Sequence, residues 1–332
     1  MSESASPFVS VVVSVQNRPG LIVRLLEAVE AQTYPRDRFE VVIVDNGSTD
    51  RTPDAVREFG AASAATVRLV SKEATTVSDS RNRGVREARG EVIAFTDSDC
   101  RPTPAWLEEG VRGLADADLV QGRTIADPSM PRGPLHRTVE TSGEVGLFDT
   151  CNMFFHRAPF EAAGGFDPQF TRRIDLPRPR SRQDYGFGDD TEMAWRLIRS
   201  GHRVVHRPEA LVHHHVFEPH LDDLVMRTWL SGGFPSLVRE IPELRERFLT
   251  GRVFLSPDRP YVWAGLAGLG LLARGRFVLG AAGVGAYVWH RVTRGPGSSS
   301  ERLRALPTLA LMDGVTTAAL AVGSMRARRL VL

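Results

Sequence analysis

Cysteine is scarce in this sequence of 332 residues, and neither sign of charge is in excess. Cys100 and Cys151 are too few for a disulfide framework and indicate a reducing compartment. The 42 basic and 40 acidic residues leave a formal net charge of +2, so no global field favours nucleic acid as a partner. Segment 1–7 lacks the basic and apolar regions of a secretory signal, and we therefore expect no export.

Other patterns are also missing. No G-x-G-x-x-G sequence follows the first apolar run, which argues against a dinucleotide oxidoreductase. No internal repeat is evident. The 42% share of hydrophobic residues is nevertheless enough for a substantial core, and the length suggests more than one unit.

Short β-branched runs alternate with helix-period segments over the first 120 residues. The expected elements are strands at 8–15, 39–44, 67–70, 91–96 and 119–120, and helices at 21–32, at 77–89 and from Pro104. This alternation predicts an α/β fold with a mostly parallel sheet covered by helices on both faces.

The sequence changes character twice. Residues 123–150 are rich in Pro, Gly and Thr and have no clear period, and from Leu221 onward the chain is helical and increasingly apolar. We therefore expect a first region at 1–122, a second αβ region at 123–220 and a helical C-terminal region at 221–332.

The C-terminal region contains three apolar stretches. They cover residues 261–273, 277–289 and 306–325, and the third is interrupted by Asp313. The first two are shorter than the ~20 residues that cross a bilayer, so a shallow hairpin, tilted spans and a helical core all remain open. Clustered arginines between and after these stretches favour an anionic cytoplasmic leaflet. We expect membrane contact through 259–325 at the cytoplasmic face, with a cytoplasmic location as the alternative.

Acidic residues follow two of the expected strands. Asp45 ends the run VVIVDNGSTD, and Asp97 and Asp99 end VIAFTDSDC. The carboxyl ends of parallel strands form the ligand-binding edge of such a sheet. Two carboxylates there suit Mg²⁺ or Mn²⁺ shared with a diphosphate, although capping of a turn is the ordinary use of Asp45 and solvated turn acids remain the alternative for the pair.

A third acidic group opens a predicted helix in GFGDDTEMAWRLIRSG. Asp189 and Glu192 have the spacing of a capping box, so we expect Asp189 to be the N-cap. Asp190 is then free to accept a proton from an attacking hydroxyl, or it is a first-turn acid favoured by the helix dipole. Three consecutive histidines, His213 to His215, offer imidazole ligands for a metal, although a packed or solvated histidine is the ordinary interpretation of each.

Five of these segments, in this order, resemble the family-2 glycosyltransferases of the GT-A fold. The segments are VSVVVSVQNRPG, VVIVDNGSTD, SRNRGVREARGEVIAFTDSDC, CNMFFHRAPFEAAGGFD and GFGDDTEMAWRL, and the resemblance covers about residues 8–216. It implies that the first region is the nucleotide-sugar-binding half and the second the acceptor-binding and catalytic half of one GT-A domain.

The resemblance also implies roles for individual residues. Asp190 matches the catalytic base, and Asp189 stands where the family more often has Glu. Asp97, Asp99 and His214 match the metal ligands, with Asp99 as the more direct of the two acids and a register slip to His213 or His215 left open. The nucleotide-sugar site would comprise Val13, Val15, Asn17, Asp45, Arg81, Asn82, Asp97, Ser98, Asp99, Asn152 and Asp189.

The implied function is an inverting, metal-dependent transfer of a sugar from a UDP-, GDP- or dTDP-sugar to an acceptor hydroxyl, with Mn²⁺ or Mg²⁺ as cofactor. The Q-x-x-R-W element of the polysaccharide synthases is absent, which favours non-processive transfer. We expect acceptor contacts from residues 123–187, and Trp106 in a helix core rather than as a sugar platform. The alternative is a catalytically silent membrane-associated binding module with the same fold.

Overall fold

The computed structural model describes residues 6–141, 143, 145–174 and 187–332, without the side chain of Arg172. The chain divides into two units. The first comprises the described parts of Met1–Met130, Thr138–Arg173 and Arg182–His215, and the second those of Pro131–Arg137, Ile174–Ser181 and Val216–Leu332. Residues 175–186, within the segment expected to contact the acceptor, lie outside the described residues. The division into donor and acceptor halves at residue 122 stays a prediction.

One sheet of eight strands forms the centre of the first unit. The strands are β1 (Val9–Val15), β2 (Phe39–Asn46), β3 (Thr66–Lys72), β4 (Val92–Thr96), β5 (Cys100–Pro102), β6 (Leu119–Ala126), β7 (Asn152–His156) and β8 (Val204–His214). Their spatial order is β3-β2-β1-β4-β7-β6-β8-β5.

The sheet is mixed rather than purely parallel. The pairs β1–β2, β2–β3, β1–β4 and β6–β8 are parallel. In contrast, β7 runs antiparallel to both β4 and β6, and β5 runs antiparallel to β8. The expected α/β class is confirmed, and the aperiodic segment 123–150 is where the chain turns back to enter β7 in the opposite direction.

Helices cover both faces of this sheet. They are α1 (Pro19–Glu30), α2 (Thr52–Ala62), α3 (Val77–Glu87), α4 (Trp106–Leu114), α5 (Arg157–Ala162), α6 (Phe170–Arg173) and α7 (Asp189–Arg199). Helix α2 was not expected from the sequence, although Pro53 in its first turn is a recognised start signal. The other expected helix boundaries agree with the structure within about two residues.

Two hydrophobic cores lie on opposite faces of the sheet, because consecutive strand residues point to opposite sides. Val11, Val13 and Ile43 belong to the core that also contains residues of α1 and α4. Val12 and Val44 belong to the other core, with residues of α3 and α7. Burial on both faces explains why β1 and β2 are nearly continuous apolar runs.

The second unit is helical, as expected. Its helices are α8 (Leu221–Leu230), α9 (Phe234–Glu240), α10 (Leu244–Arg247), α11 (Arg259–Leu272), α12 (Phe277–Thr293) and α13 (Ser299–Ala327). Glycines bring α11 and α12 close together: a Cβ on Gly268 would lie 2.8 Å from the carbonyl oxygen of Gly280. Ser298 and Glu301 form a capping box at the start of α13.

Among the described helices, α13 alone has the length and apolar composition to cross a bilayer. Only 17% of its most apolar window is buried. The expected stretch 306–325 is part of this helix, and the stretches 261–273 and 277–289 correspond to α11 and α12. By length and composition, α13 is therefore the candidate for membrane insertion.

Candidate active site

Polar side chains collect at one edge of the sheet in the first unit. Val15, the last residue of β1, lies opposite Asp45 on β2 in the parallel register. Asp97, Ser98 and Asp99 follow β4, the other neighbour of β1. The start of β7 reaches the same edge, because Asn152 pairs with Thr96 at the end of β4. The antiparallel direction of β7 therefore adds the residues before it to this site.

Asp45 supports the turn that follows β2. Its Oδ1 accepts a hydrogen bond from the amide of Ser48 at 3.2 Å, and Gly47 has a left-handed φ of 76°. Asn17, which also has a positive φ, joins the β1–α1 loop to this turn: its amide donates to the Ser48 hydroxyl, and its Oδ1 accepts from the amide of Thr49. The turn-capping role of Asp45 is thus observed, and its nucleoside contact stays a prediction.

Arg81 is a buried cation between two acidic groups. Its guanidinium lies 3.2 Å from Asp97 Oδ1 and 3.5 Å from Asp189 Oδ2. Burial alone would lower the pKa of Arg81, but the negative charges of Asp97, Asp189 and Asp190 outweigh burial, so that the pKa is raised. The guanidinium is therefore charged, and it links the segment after β4 to the first turn of α7.

The expected N-cap role of Asp189 is wrong. Helix α7 begins at Asp189 itself, and its N-cap is Gly188 with a φ of 71°. The Asp189 carboxylate turns away from the helix backbone, because it accepts a hydrogen bond from Ser78 at 2.7 Å and pairs with Arg81. Glu192, the other half of the expected capping box, pairs with Arg196.

Asn82, beside Arg81 on α3, bonds to the backbone of Phe166. Its Nδ2 donates to the Phe166 carbonyl at 2.7 Å, and its Oδ1 accepts from the Phe166 amide at 2.9 Å. The amide thus joins α3 to the segment after α5. A donor contact for Asn82 stays a prediction.

Asp99 and His214 face each other where a cation would fit. His214 is buried, and its Nε2 lies 3.6 Å from Asp99 Oδ1. The antiparallel register places His214 opposite Cys100, next to Asp99. On the other ring edge, Nδ1 lies 2.8 Å from the His215 carbonyl and 3.2 Å from the Thr138 hydroxyl. These contacts fix the ring, so that Nε2 is the atom directed at Asp99.

The donor set fits a divalent cation such as Mn²⁺. Ligand atoms of Asp99, Cys100 and His214 all lie within 4.8 Å of one another. Burial raises the pKa of the Cys100 thiol, so the carboxylate oxygen of Asp99 and the imidazole nitrogen of His214 are the favoured ligands, and a carboxylate oxygen is a donor that suits Mn²⁺. Asp97 lies outside this cluster of described residues and is held by Arg81. Its role as a metal ligand stays a prediction.

Asp190 occupies the first turn of α7 and is partly exposed. Its Oδ2 accepts a hydrogen bond from the amide of Thr150 at 3.3 Å. Burial, followed by the charges of Asp189 and Asp149, raises the pKa of Asp190 well above its usual range. A carboxylate with a raised pKa is a stronger proton acceptor, as a general base requires.

Asp149 is a site residue that the sequence analysis missed. Its Oδ2 accepts a hydrogen bond from Thr141, and its amide donates to Gln121 Oε1 at 2.9 Å. Burial raises its pKa, Asp97 adds to this, and His214 opposes it. Asp149 therefore interacts electrostatically with Asp97, Asp190 and His214. The sequence gives no local signal for this role, because Asp149 reaches the site only through the antiparallel direction of β7.

Asn152 is fully buried and fully bonded. Its Oδ1 accepts from Trp106 Nε1, and its Nδ2 donates to the carbonyls of Arg123 and Ala210, all at 2.8 Å. Trp106 is also fully buried and packs on Phe154, in agreement with the expected place in a helix core. A substrate contact for Asn152 stays a prediction, while its bonds joining α4, β6 and β8 are observed.

We expect Asn152→Ala to lower the free energy of unfolding by about 2–4 kcal/mol, because the buried indole N–H of Trp106, the buried carbonyl of Ala210 and the part-buried carbonyl of Arg123 lose their partner. Gln16→Ala is the matched control: it removes an amide whose Nε2 donates to a single carbonyl, that of Asn46. Urea denaturation measures both. A loss below about 0.5 kcal/mol for Asn152→Ala would contradict a structural role for this amide.

Comparison with known proteins finds relatives among the glycosyltransferases. Residues 10–164 match the model of Glycosyl transferase family 2. Glycosyltransferase AglE of Haloferax volcanii is 40% identical over 196 residues, which is 55% of this chain and 64% of AglE. Validoxylamine A glucosyltransferase of Streptomyces hygroscopicus is 29% identical over 59% of this chain and 52% of that protein. The chain thus spans about half to two thirds of these curated relatives.

Solved structures show the same fold. A mannosyltransferase from Pyrobaculum calidifontis, solved with GDP-Man and Mn²⁺, has a TM-score of 0.57 and 20% identity over 98% of this chain and 88% of that chain. A structure of S. aureus TarS has a TM-score of 0.51 and 16% identity over 97% of this chain and 92% of that chain. The expected GT-A fold is confirmed, and residues 10–164, slightly less than half of the chain, match glycosyl transferase family 2.

Proposed function

We propose that the chain is an inverting, non-processive glycosyltransferase that moves a sugar from a nucleoside-diphosphate sugar to an acceptor hydroxyl. The main support is that a candidate metal site and a candidate general base lie at the same edge of the sheet. Asp99 faces His214, and the partly exposed Asp190 has a raised pKa. Arg81 connects the two groups through Asp97 and Asp189.

The donor would bind along the ends of β1 and β2. Val13, Val15 and Asn17 would line the nucleoside pocket, and Asp45 would accept hydrogen bonds from the base or ribose. GDP-Man and UDP-GlcNAc are bound in two structures of the same fold, which supports a nucleotide sugar as the donor class. Arg81, Asn82, Ser98, Asn152 and Asp189 complete the proposed site as residues that bind or support the donor.

Asp99 and His214 would hold Mn²⁺ or Mg²⁺, with Asp97 as a further candidate ligand. The ion would supply positive charge to the departing diphosphate. The protein's own contribution is to aim Asp99 and His214 at one point, since the ring contacts of His214 fix its orientation. The bound Mn²⁺ of the mannosyltransferase structure supports this assignment.

Asp190 would act as the general base. Its carboxylate would take the proton of the acceptor hydroxyl as that oxygen attacks the anomeric carbon from the side opposite the leaving group. A single displacement of this kind inverts the anomeric configuration. The raised pKa of Asp190 favours proton transfer from a hydroxyl, and the hydrogen bond from Thr150 holds the carboxylate in position.

The proposed location is the cytoplasmic face of a membrane. Helix α13 supports this by its length and composition, and the arginines of the second unit suit an anionic leaflet. The acceptor would be a glycan, a lipid-linked intermediate or a natural product with a free hydroxyl. A silent binding module with the same fold is the alternative that the experiments below distinguish.

Thermal shift with nucleoside diphosphates and nucleotide sugars, with and without Mn²⁺ or Mg²⁺, tests the donor site. One nucleotide should stabilise the protein in a metal-dependent manner. His214→Ala should raise the metal concentration needed for half of this stabilisation by about 10–100-fold, because an imidazole ligand is lost. His213→Ala is the matched control and should behave as the parent protein. No stabilisation by any nucleotide would contradict the proposed donor site.

Asp190→Asn should reduce transfer by about 10²–10⁴-fold, because the amide cannot accept the proton. Nucleotide-sugar binding should survive, since Asp190 acts on the acceptor. Product formation in single turnover and donor affinity by calorimetry measure the two effects. An active Asn variant would remove Asp190 as the base. Donor binding without turnover in both parent and variant would indicate the silent module.

Asp149→Asn should shift the acid limb of the pH profile of kcat/KM to lower pH. The reason is that the negative charge of Asp149 contributes to the raised pKa of Asp190, so its removal lowers that pKa. Asp54→Asn, an exposed carboxylate of α2 paired with Arg57, is the control and should leave the profile unchanged. An acid limb that stays in place or moves to higher pH in Asp149→Asn would contradict the coupling.

A further inference from the structure

The hairpin formed by α11 and α12 has an outer surface that is almost wholly apolar. From Arg259 to His290, every exposed residue is apolar or glycine except Arg274 and Arg276. A helix that faces water normally carries charged and polar residues on its outer side. An exposed surface of this composition is instead typical of contact with a membrane or with another protein.

The turn between the two helices is the most exposed part of the hairpin. Residues 273–279 are all exposed, and the exposed fractions of Phe277, Val278 and Leu279 are 70%, 84% and 60%. The turn is closed by backbone hydrogen bonds, including one of 3.0 Å from the amide of Arg276 to the carbonyl of Leu271. Three apolar side chains are therefore held in solvent next to two arginines.

Charge identifies the kind of partner that fits this surface. No Asp or Glu occurs in residues 259–300, and the two exposed charges of the hairpin, Arg274 and Arg276, are both positive. Apolar side chains bordered by basic residues alone are complementary to an anionic lipid surface, where the apolar groups enter the acyl region and the guanidinium groups reach lipid phosphates.

The lengths of the helices decide how the hairpin can meet a bilayer. Helix α11 has 14 residues and α12 has 17. They are therefore about 21 Å and 26 Å long, whereas the hydrocarbon core is about 30 Å thick. A hairpin that stood upright would place the two arginines in hydrocarbon. It would also place there the first amides of α12, whose N-cap residue makes no side-chain hydrogen bond. A hairpin that lies in the interface avoids both costs.

We propose that the α11–α12 hairpin docks in the plane of an anionic bilayer surface, with residues 277–279 in the outer acyl layer and Arg274 and Arg276 at the lipid phosphates. Trp289, which is 57% exposed on α12, has the side chain most typical of this depth. The proposal rests on the membrane location proposed above and names the surface that makes the contact. It does not require α13 to cross the bilayer.

Flotation of the full-length chain with vesicles tests the electrostatic part of this docking. Vesicles of phosphatidylcholine and phosphatidylglycerol should bind the protein at least tenfold more tightly than vesicles of phosphatidylcholine alone. Arg274→Gln and Arg276→Gln should each weaken binding to the mixed vesicles about fivefold, the contribution of one basic residue near an anionic surface. Equal binding to both kinds of vesicle would overturn docking on an anionic surface.

Val278→Asp tests the apolar part and should weaken binding to the mixed vesicles at least tenfold. Leu221→Asp is the matched control, because Leu221 is also an exposed apolar residue in the first turn of its helix and lies outside the hairpin. This control should bind as the parent does. Both variants should keep the melting temperature and the metal-dependent donor stabilisation of the parent, which separates a loss of docking from a loss of the donor site.

A fluorescent label at residue 278 measures the depth of the contact. Cys100 and Cys151 are buried, so a nitrobenzoxadiazole dye reacts selectively with Val278→Cys. Nitroxide near the headgroup end of the lipid chains should quench this dye more than nitroxide near their ends. Dye emission that stays the same while the protein binds vesicles would overturn the hairpin as the contact. Lipid-free self-association that Val278→Asp abolishes would assign the surface to a second copy of the chain instead.

Discussion

The rest of the site depends on the ion pairs that the buried guanidinium of Arg81 forms with Asp97 and Asp189. Two carboxylates, Asp97 after β4 and Asp189 at the start of α7, are brought toward it from segments about 90 residues apart in sequence. Without a cation between them, these two acids and the neighbouring Asp190 would repel one another in a poorly solvated place. The guanidinium therefore makes this concentration of negative charge compatible with folding.

The concentration of acids also gives the neighbouring groups their properties. Asp149 and Asp190 keep raised pKa values, even though Arg81 and hydrogen bonds oppose the rise, because burial and like charges dominate. At the other side of the site, His214 keeps one ring nitrogen on a carbonyl and directs the other at Asp99. In the proposed function, the partners of each residue divide this cluster of charges into a part that accepts the proton and a part that holds the metal.

Most of the fold was predictable from local sequence, and the site was predictable where its residues follow parallel strands. The ends of β1, β2 and β4 could be located from apolar runs, so Asp45, Asp97 and Asp99 were expected at one edge. The capping role of Asp189 was wrongly predicted because its actual partners, Ser78 and Arg81, are more than 100 residues away in sequence. That His214 is the histidine facing Asp99 follows from the pairing of β5 with β8, which periodicity cannot give.

The two cores of the sheet have a consequence for how related sequences diverge. Val12 and Val13 are neighbours in the chain, yet they pack into different cores on opposite faces. Substitutions at these two positions are therefore expected to couple more weakly than substitutions at Val13 and Ile43, which lie opposite each other in register and share one core. Residues of β1 should consequently covary with the residues of β2 that point into the same core. Residues adjacent in one strand point into different cores and should vary more independently of each other.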